Sequence, residues 1–276
     1  MFERRNPESI GSPSNAADFV TADSIIGRDQ MGGFAKGLAV IEAFDEGSIS
    51  LPIAEVARRS GLDRATARRC LLTLVNKGYA VSDGKYFSLT ARIIRLGHGY
   101  LASELATALR AFLTGLSQVV EESSSVSAAV LDGAEILYIG RSSHVGSVGS
   151  GLHTGSRLPA YCTALGRVLL SALGEQECRS RLESSTIRAI TPHTITDIDR
   201  LIQVIGKVGK DGYCIVDQEI EVGAVSIAIP VFNHEGSMVA AINVAIYIAR
   251  HSVADLTEVV LPHLLAVQSE LRKILI

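Results

Sequence analysis

The sequence predicts an α+β chain of two domains. A small helical module ends in a β-hairpin; a larger module follows, its helices grouped around an antiparallel sheet. Three observations carry this reading. The chain has 276 residues, more than one ordinary domain. Its 47% apolar content is enough to bury a sizeable core. Its longer C-terminal part alternates paired apolar strands with helical patterns, the signature of α+β architecture.

Residues 1–31 begin with "MFERRNPESIGSPSNAAD", which has charge, Pro and Ser but no apolar core. They are expected to form a disordered tail, with no secretory signal, which places the chain in the cytoplasm. "GGFAKGLAVIEAFDEG" then sets Phe34, Leu38, Ile41 and Phe44 at roughly helical spacing, with Gly47 as a stop. In "SLPIAEVARRSG", Ser50 reads as a cap, Pro52 falls in the first turn, and Ile53, Val56 and Ala57 form the apolar stripe. Gly61 breaks that helix. Asp63 caps the next, "RATARRCLLTLVN", whose Ala67, Leu71 and Leu74, with Cys70 beside them, point to the core.

Two short helices joined by a Gly-containing turn form a helix-turn-helix, a unit that inserts its second helix N-terminus first into the major groove. Arg64, Thr66, Arg68 and Arg69 fall mostly on the outer faces of that helix. Arginine suits guanine edges and phosphates. In "YAVSDGKYFSLT", Val81 and Phe87 flank Asp83-Gly84, a hairpin signal that adds a wing and sets Lys85 and Tyr86 near its tip. Charge follows the same division. Residues 32–96 hold ten Lys/Arg against six Asp/Glu, although the chain as a whole is −3. A basic module on an acidic protein points to double-stranded DNA; a three-helix module that binds protein is the alternative.

Downstream, "SLTARIIRLGHGYLAS" reads as a helix with Ile93, Leu96 and Tyr100 on one side, and "SELATALRAFLTGLSQVVEES" as an amphipathic helix opening the second domain. "SVSAAVLDGAEILYIGRS" is a hairpin about Asp132-Gly133. "TALGRVLLSAL" and "TDIDRLIQVIGKVGKDG" are helices, the second capped by Thr196 and stopped by Gly212. A further hairpin and a closing helix complete the chain. No apolar run reaches the ~18 residues of a spanning helix, and Met238 to Ala249 reads as a buried strand.

Several chemistries are weighed and set aside. The four cysteines are scattered, without a CxxC pair, and are read as thiols. Cys162 near a helix start would make a hydrolase nucleophile given a histidine partner, and nothing ties His144 or His193 to it. "GSVGSG" lacks phosphate-loop spacing. The seven histidines show no HExxH spacing, so neither metal nor cofactor is expected, and no enzyme. A ligand-binding module without DNA contact is the other alternative. For an anion, the helix start "AYCTALGR" is a candidate, because its N–H groups and dipole favour a carboxylate while Thr163, Ala164, Leu165 and Gly166 let one approach. Arg141 and Arg157 are candidate carboxylate partners whose plainer reading is an exposed structural arginine.

The segment "GLAVIEAF" with "LPIAEVARRSGLDRATARRCLLTLVNKGYA" resembles the DNA-binding domain of the IclR family of bacterial transcription regulators. "GYCIVDQEIEVGAVSIAIPVFN" is similar to that family's C-terminal signature at Gly212, Glu219, Ser226, Ala228, Phe232 and Asn233. It departs at Val216, where the signature has Asp or Ser. "GSRLPAYCTALGRVLLSAL" with "VDQEIE" looks most like the subgroup controlling aromatic-acid breakdown through the β-ketoadipate pathway.

The resemblance implies a winged helix-turn-helix over 32–88, a linker helix over 89–103 and a GAF/profilin-like effector domain over 104–276. It implies DNA contacts from Lys36, Arg64, Thr66, Arg68, Arg69, Lys85 and Tyr86. It adds Val216, Ser226, Asn243 and Ala245 to Thr163, Ala164, Leu165 and Gly166 as an effector site. The implied partners are operator DNA and a small carboxylate, aromatic or β-ketoadipate-like. A homodimer pairing into a tetramer is implied as well.

Overall fold

The structure is a computed structural model. It describes residues 31–45, 48–120, 124–143, 146–248 and 253–276. The expected tail up to residue 30, the Gly47 stop and His144 lie outside the described residues. The chain divides into two compact units between Ser103 and Glu104.

In the N-terminal unit, α1 (Gly32–Glu42) buries Val40 and, just beyond it, Ala43. The expected stripe differs: Phe34 is 67% and Leu38 42% exposed. Period alone does not say which of two adjacent apolar faces finds a partner. Ser50 is no helix cap either. Ser50–Pro52 forms β1, which pairs with the later wing strand, and the helix α2 (Ile53–Ser60) starts after Pro52. Gly61, at φ 66°, takes the left-handed conformation that ends α2. Asp63 caps α3 (Arg64–Asn76), accepting from the Thr66 N–H at 2.9 Å.

The wing is β2 (Ala80–Ser82) and β3 (Tyr86–Leu89), in sheet order β1-β3-β2. Its loop has three residues rather than two. Asp83 Oδ1 accepts from the N–H groups of Lys85 (2.9 Å) and Tyr86 (2.7 Å), and Gly84 sits at φ 98°. Val40, Val56, Leu71 and Phe87 close this unit's core. Leu89 belongs to the wing, so the expected linker helix begins later, as a 3-10 turn (Ala91–Ile93) running into α4 (Ile94–Leu101). None of α4 is buried.

The second unit is a three-layer arrangement. It begins with α5 (Glu104–Val119), β4 (Ser125–Asp132), β5 (Glu135–Ser143) and β6 (Arg157–Pro159). Next come α6 (Ala164–Leu170), α7 (Glu175–Ser184) and α8 (Ile198–Asp211). Then follow β7 (Cys214–Asp217), β8 (Ala224–Phe232) and β9 (Met238–Tyr247). The chain ends through α9 (Val253–Asp255), a π-turn (Leu256–Val260) and α10 (Leu261–Ile274). Pro262 has no N–H for the helical ladder, which accounts for the widened turn before it. The cap of α8 is Asp197, which accepts from the Arg200 N–H at 2.8 Å; Thr196 is one residue too early.

All six strands pair antiparallel in the order β6-β5-β4-β9-β8-β7. One sheet face packs on α5 and α10 through Leu109, Leu113, Ile227, Ile242 and Leu264. The other packs on α6, α7 and α8 through Tyr138, Val168, Leu182, Leu201 and Val216.

Candidate functional site

Both units carry candidate residues. In the first, the cap at Asp63 fixes the start of α3 and with it the direction of Arg64, its first residue. Arg68 follows at i+4, so both emerge on one face. Arg64, Arg68 and Arg69 are exposed, and so are Lys36, Lys85 and Tyr86. Lys85 Nζ lies 5.1 Å from the Tyr86 ring centre, which gathers the wing tip into one cationic surface. Thr66 is the exception. It is 8% exposed, and its Oγ1 accepts from Arg69 Nη2 at 3.2 Å. Its hydroxyl and N–H together hold the Asp63 carboxyl below its ordinary range. Thr66 thus orders the helix start and is not presented outward as expected.

The neighbouring arginines of α2 are tied down. Arg58 Nε reaches Glu55 Oε2 at 2.9 Å. Arg59 reaches Glu55 at 2.7 Å, Asp45 at 2.8 Å and the Ser48 hydroxyl at 2.7 Å.

In the second unit, a cavity opens between the sheet and the start of α6. It has about 70 Å³ open to the centre of a water molecule, several times the ~10–15 Å³ that one water needs. Thr163, Ala164, Leu165, Val216, Ser226, Asn243 and Ala245 all line it. Register explains the convergence. Ser125, Ala245, Ser226 and Val216 are successive cross-strand neighbours along one row. Arg141, Ser127, Asn243 and Ala228 form the next. Strand alternation sends both rows to the α6 face.

Gly166 does not line the cavity. A Cβ there would stand 2.2 Å from the Ala160 carbonyl oxygen, so the glycine lets α6 rest on that backbone. Its N–H is taken by Thr163 Oγ1 at 3.0 Å.

Arg141 is the residue that sequence reasoning undervalued. It lines the cavity and is hydrogen-bonded to Ser127 Oγ (2.9 Å) and to the carbonyls of Val148 (2.5 Å) and Gly149 (3.0 Å). Its buried Nε has no partner among the described residues. Burial pulls its pKa below the usual arginine range, the response of a cation held without a counter-ion. A bulge aims it. Ala128 pairs with Gly140 and Ala129 with Tyr138, leaving Ile139 as an extra residue in β5. Simple alternation from Tyr138 would send Arg141 to the opposite face; the inserted residue returns it to the cavity.

Asn243 offers a second unpartnered atom. Its Nδ2 donates to Ser226 Oγ at 2.8 Å, while its buried Oδ1 has no partner among the described residues. Tyr138, whose hydroxyl burial pushes up to about 12, with Leu152, Leu158, Leu165, Val216 and Ile220, supplies largely apolar walls.

Arg157 keeps the plainer role, as an exposed arginine paired with Asp132 and with Glu135 at 2.8 Å. Cys162 is no nucleophile. It is fully buried and burial pushes its thiol up to about 12, so no thiolate forms near neutrality. His193 is exposed. No group of His, Cys, Asp and Glu able to hold a metal occurs among the described residues. None of their helices is long and apolar enough to cross a membrane.

Comparison with known proteins covers both units. Residues 34–84 match the IclR helix-turn-helix domain, and residues 99–271 match the bacterial transcriptional regulator IclR C-terminal family. The chain is 40% identical over 267 residues to the Pca regulon regulatory protein of Pseudomonas putida, covering 96% of this chain and 90% of that protein. It is 35% identical over 260 residues to the p-hydroxybenzoate hydroxylase transcriptional activator of Acinetobacter baylyi, covering 92% and 95%. A Rhodococcus sp. RHA1 protein of known structure superposes with a TM-score of 0.75 at 40% identity, over 89% of this chain and 98% of that one. An IclR homologue from Microbacterium hydrocarbonoxydans, solved with 4-hydroxybenzoate, superposes at 0.73 and 25% identity, over 87% and 99%. With a winged reader, a separate sheet-built cavity and these matches along nearly its whole length, the chain belongs to the IclR family of bacterial transcriptional regulators.

Proposed function

We propose that this regulator answers to a small aromatic or related carboxylic acid and controls genes for its breakdown. One observation carries the reading: a largely apolar cavity holds two buried polar atoms without partners among the described residues, Arg141 Nε and Asn243 Oδ1. Buried polar groups are almost always satisfied, so a cavity that leaves two open is built for a polar ligand. A carboxylate meets Arg141, a second polar group meets Asn243, and an apolar body lies between Leu165 and Val216. The names of the two curated relatives, and the 4-hydroxybenzoate in the Microbacterium homologue, point to the same chemical class.

In this reading residues 32–88 form the DNA reader, 89–103 the transmitter and 104–276 the effector domain. Lys36, Arg64, Arg68, Arg69, Lys85 and Tyr86 contact the operator. Paired half-sites call for a homodimer, with pairing again into a tetramer. The exposed apolar residues Phe34, Leu38, Ile94 and Leu96 give such an assembly surface to bury. The protein works in the cytoplasm, where its operator is. A coupling of ~1–3 kcal/mol between ligand and operator sites is enough for a modest switch.

The test is thermal-shift titration of the full chain with 4-hydroxybenzoate, protocatechuate and β-ketoadipate. A ligand of the native state raises the melting temperature in proportion to the logarithm of its concentration above Kd. A flat response to all three overturns the effector class.

A further inference from the structure

The cavity wall carries two carboxylates, Glu219 and Glu221, which any anionic ligand would meet as repulsion. Glu221 Oε1 accepts from the Tyr247 hydroxyl at 2.8 Å. Glu219 is treated more heavily. It is 5% exposed, and Arg167, 3% exposed, grips it with both ends: Nη1–Oε1 2.6 Å and Nη2–Oε2 2.7 Å. Arg167 Nε donates to the Tyr161 carbonyl at 2.8 Å. The Ile195 N–H donates to Glu219 Oε2 at 2.8 Å.

These contacts belong to a closed ring. The Thr194 hydroxyl donates to the Glu219 carbonyl (2.7 Å) and the Thr191 hydroxyl to the Gln218 carbonyl (2.6 Å). The Tyr161 hydroxyl donates to the Arg188 carbonyl (2.7 Å) and accepts from its N–H (3.1 Å), which brings the path back to α6. Gln218 sits at φ 59°, left-handed for a residue with a side chain, and its Oε1 accepts from the Gly223 N–H at 2.9 Å. A backbone of that kind persists only where its surroundings over-determine it.

A buried ion pair is weak evidence for stability, since apolar residues of like volume often serve as well. Its place against a ligand cavity gives it another use. Without Arg167 the wall would set two carboxylates against Arg141, the single cation among its described residues. We propose that the Arg167–Glu219 pair positions the 218–223 strap as a fixed wall of the cavity and cancels the Glu219 charge, so that only Glu221, hydrogen-bonded to Tyr247, is left to oppose Arg141 in setting the charge of the ligand admitted. The pair acts through the strap and does not touch the ligand itself. This inference rests on the effector site proposed above.

The experiment uses the full chain with Arg167→Gln, Glu219→Gln and Arg167→Lys. Two quantities are read. One is amide hydrogen exchange across 218–223 and 188–195 without ligand. The other is the ratio of the Kd values for 4-hydroxybenzoate and its uncharged methyl ester. All three variants speed exchange in the strap. Arg167→Gln exposes the Glu219 charge and shifts the ratio about tenfold towards the ester, and Glu219→Gln shifts it a similar amount towards the acid. Arg167→Lys keeps the charge and leaves the ratio within about twofold.

A purely structural role would weaken acid and ester alike in every variant, and equal ratios throughout overturn the proposal. If Arg167→Gln does not fold, Glu219→Gln against Arg167→Lys decides, because only the former moves the ratio. If the wild type binds neither probe, 4-hydroxybenzoate is not its effector. The exchange measurement then stands alone, and an undisturbed strap overturns the positioning role.

Discussion

Arginines at the end of α2 and at the start of α3 lie six residues apart and meet opposite fates. Arg58 and Arg59 are spent on Glu55 and Asp45, whereas Arg64 and Arg68 stand exposed with no ion-pair partner among the described residues. The effector unit repeats the contrast. Arg157 is exposed and doubly paired; Arg141 is turned into a cavity with a nitrogen unanswered. Counting positive residues does not locate a binding surface. Subtracting those already neutralised by a carboxylate removes Arg58, Arg59 and Arg157 and keeps Arg64, Arg68 and Arg141 as candidates.

The largest effect that sharpens this contrast is on stability. Arg167→Ala strands the buried Glu219 and is expected to cost ~3–5 kcal/mol. Arg157→Ala breaks an exposed pair and is expected to cost ~0–1 kcal/mol. Denaturant unfolding of both variants measures the difference, and equal losses would break the comparison. Effector affinity comes next. Arg141→Met removes the charged anchor and is expected to cost ~2–3 kcal/mol, roughly a hundredfold in Kd, by calorimetry with the acid that raises Tm. Arg157→Met should leave Kd within about twofold, since a screened exposed pair contributes little at a distance.

Much of the reader was legible in the sequence because its signals are local. Gly61 needs its left-handed φ, Asp63 caps the helix three residues before the N–H it binds, and Asp83-Gly84 turns the chain on itself. The candidate effector cavity was legible at the start of α6, through Thr163, Ala164 and Leu165, and at Val216, Ser226, Asn243 and Ala245 through the family resemblance. Arg141 was a candidate carboxylate partner given the plainer exposed reading, because the extra residue at the β5 bulge that turns it to the cavity leaves no mark in the sequence. Gly166 was misjudged for a different reason. Its smallness answers to Ala160, and that approach exists only once the chain has folded. Helix α7, with just Cys178 and Leu182 buried, has too thin an apolar stripe to announce itself.

The α2–α3 contrast predicts a smaller but more specific effect. Arg64→Ala or Arg68→Ala is expected to weaken operator binding by ~1–3 kcal/mol where the side chain reads a base edge, with relaxed specificity at one position. A residue that contacts only phosphate lowers the salt slope by about one instead. Arg58→Ala should leave the affinity within about twofold, because its charge is already answered by Glu55. Gel-shift titrations at two salt concentrations separate these outcomes. A loss at Arg58 equal to that at Arg64 would mean that pairing does not silence an arginine on this surface.

The smallest effect concerns acid. Arg58 and Arg59 hold the Glu55 carboxyl down at about 2; hydrogen bonds to Thr66 hold Asp63 below its ordinary range, and N–H groups of the wing loop do the same for Asp83. A carboxyl whose folded pKa is depressed stabilises the fold above its unfolded value, ~4, and that contribution is lost as pH falls through the folded value. All three groups belong to the N-terminal unit, in the first turn of α2, at the cap of α3 and in the wing. Acidification from pH 5 towards 3 should therefore lower amide protection, measured against the intrinsic exchange rate at each pH, in α2, α3 and the wing, progressively and modestly, because these groups are exposed and screened by salt. Glu55→Gln removes the part owed to the α2 clamp and should flatten the α2 response while leaving that of the wing unchanged. If α2 protection in Glu55→Gln still falls with acid as in the wild type, the clamp does not hold α2, and the silence expected of Arg58 in operator binding needs another cause.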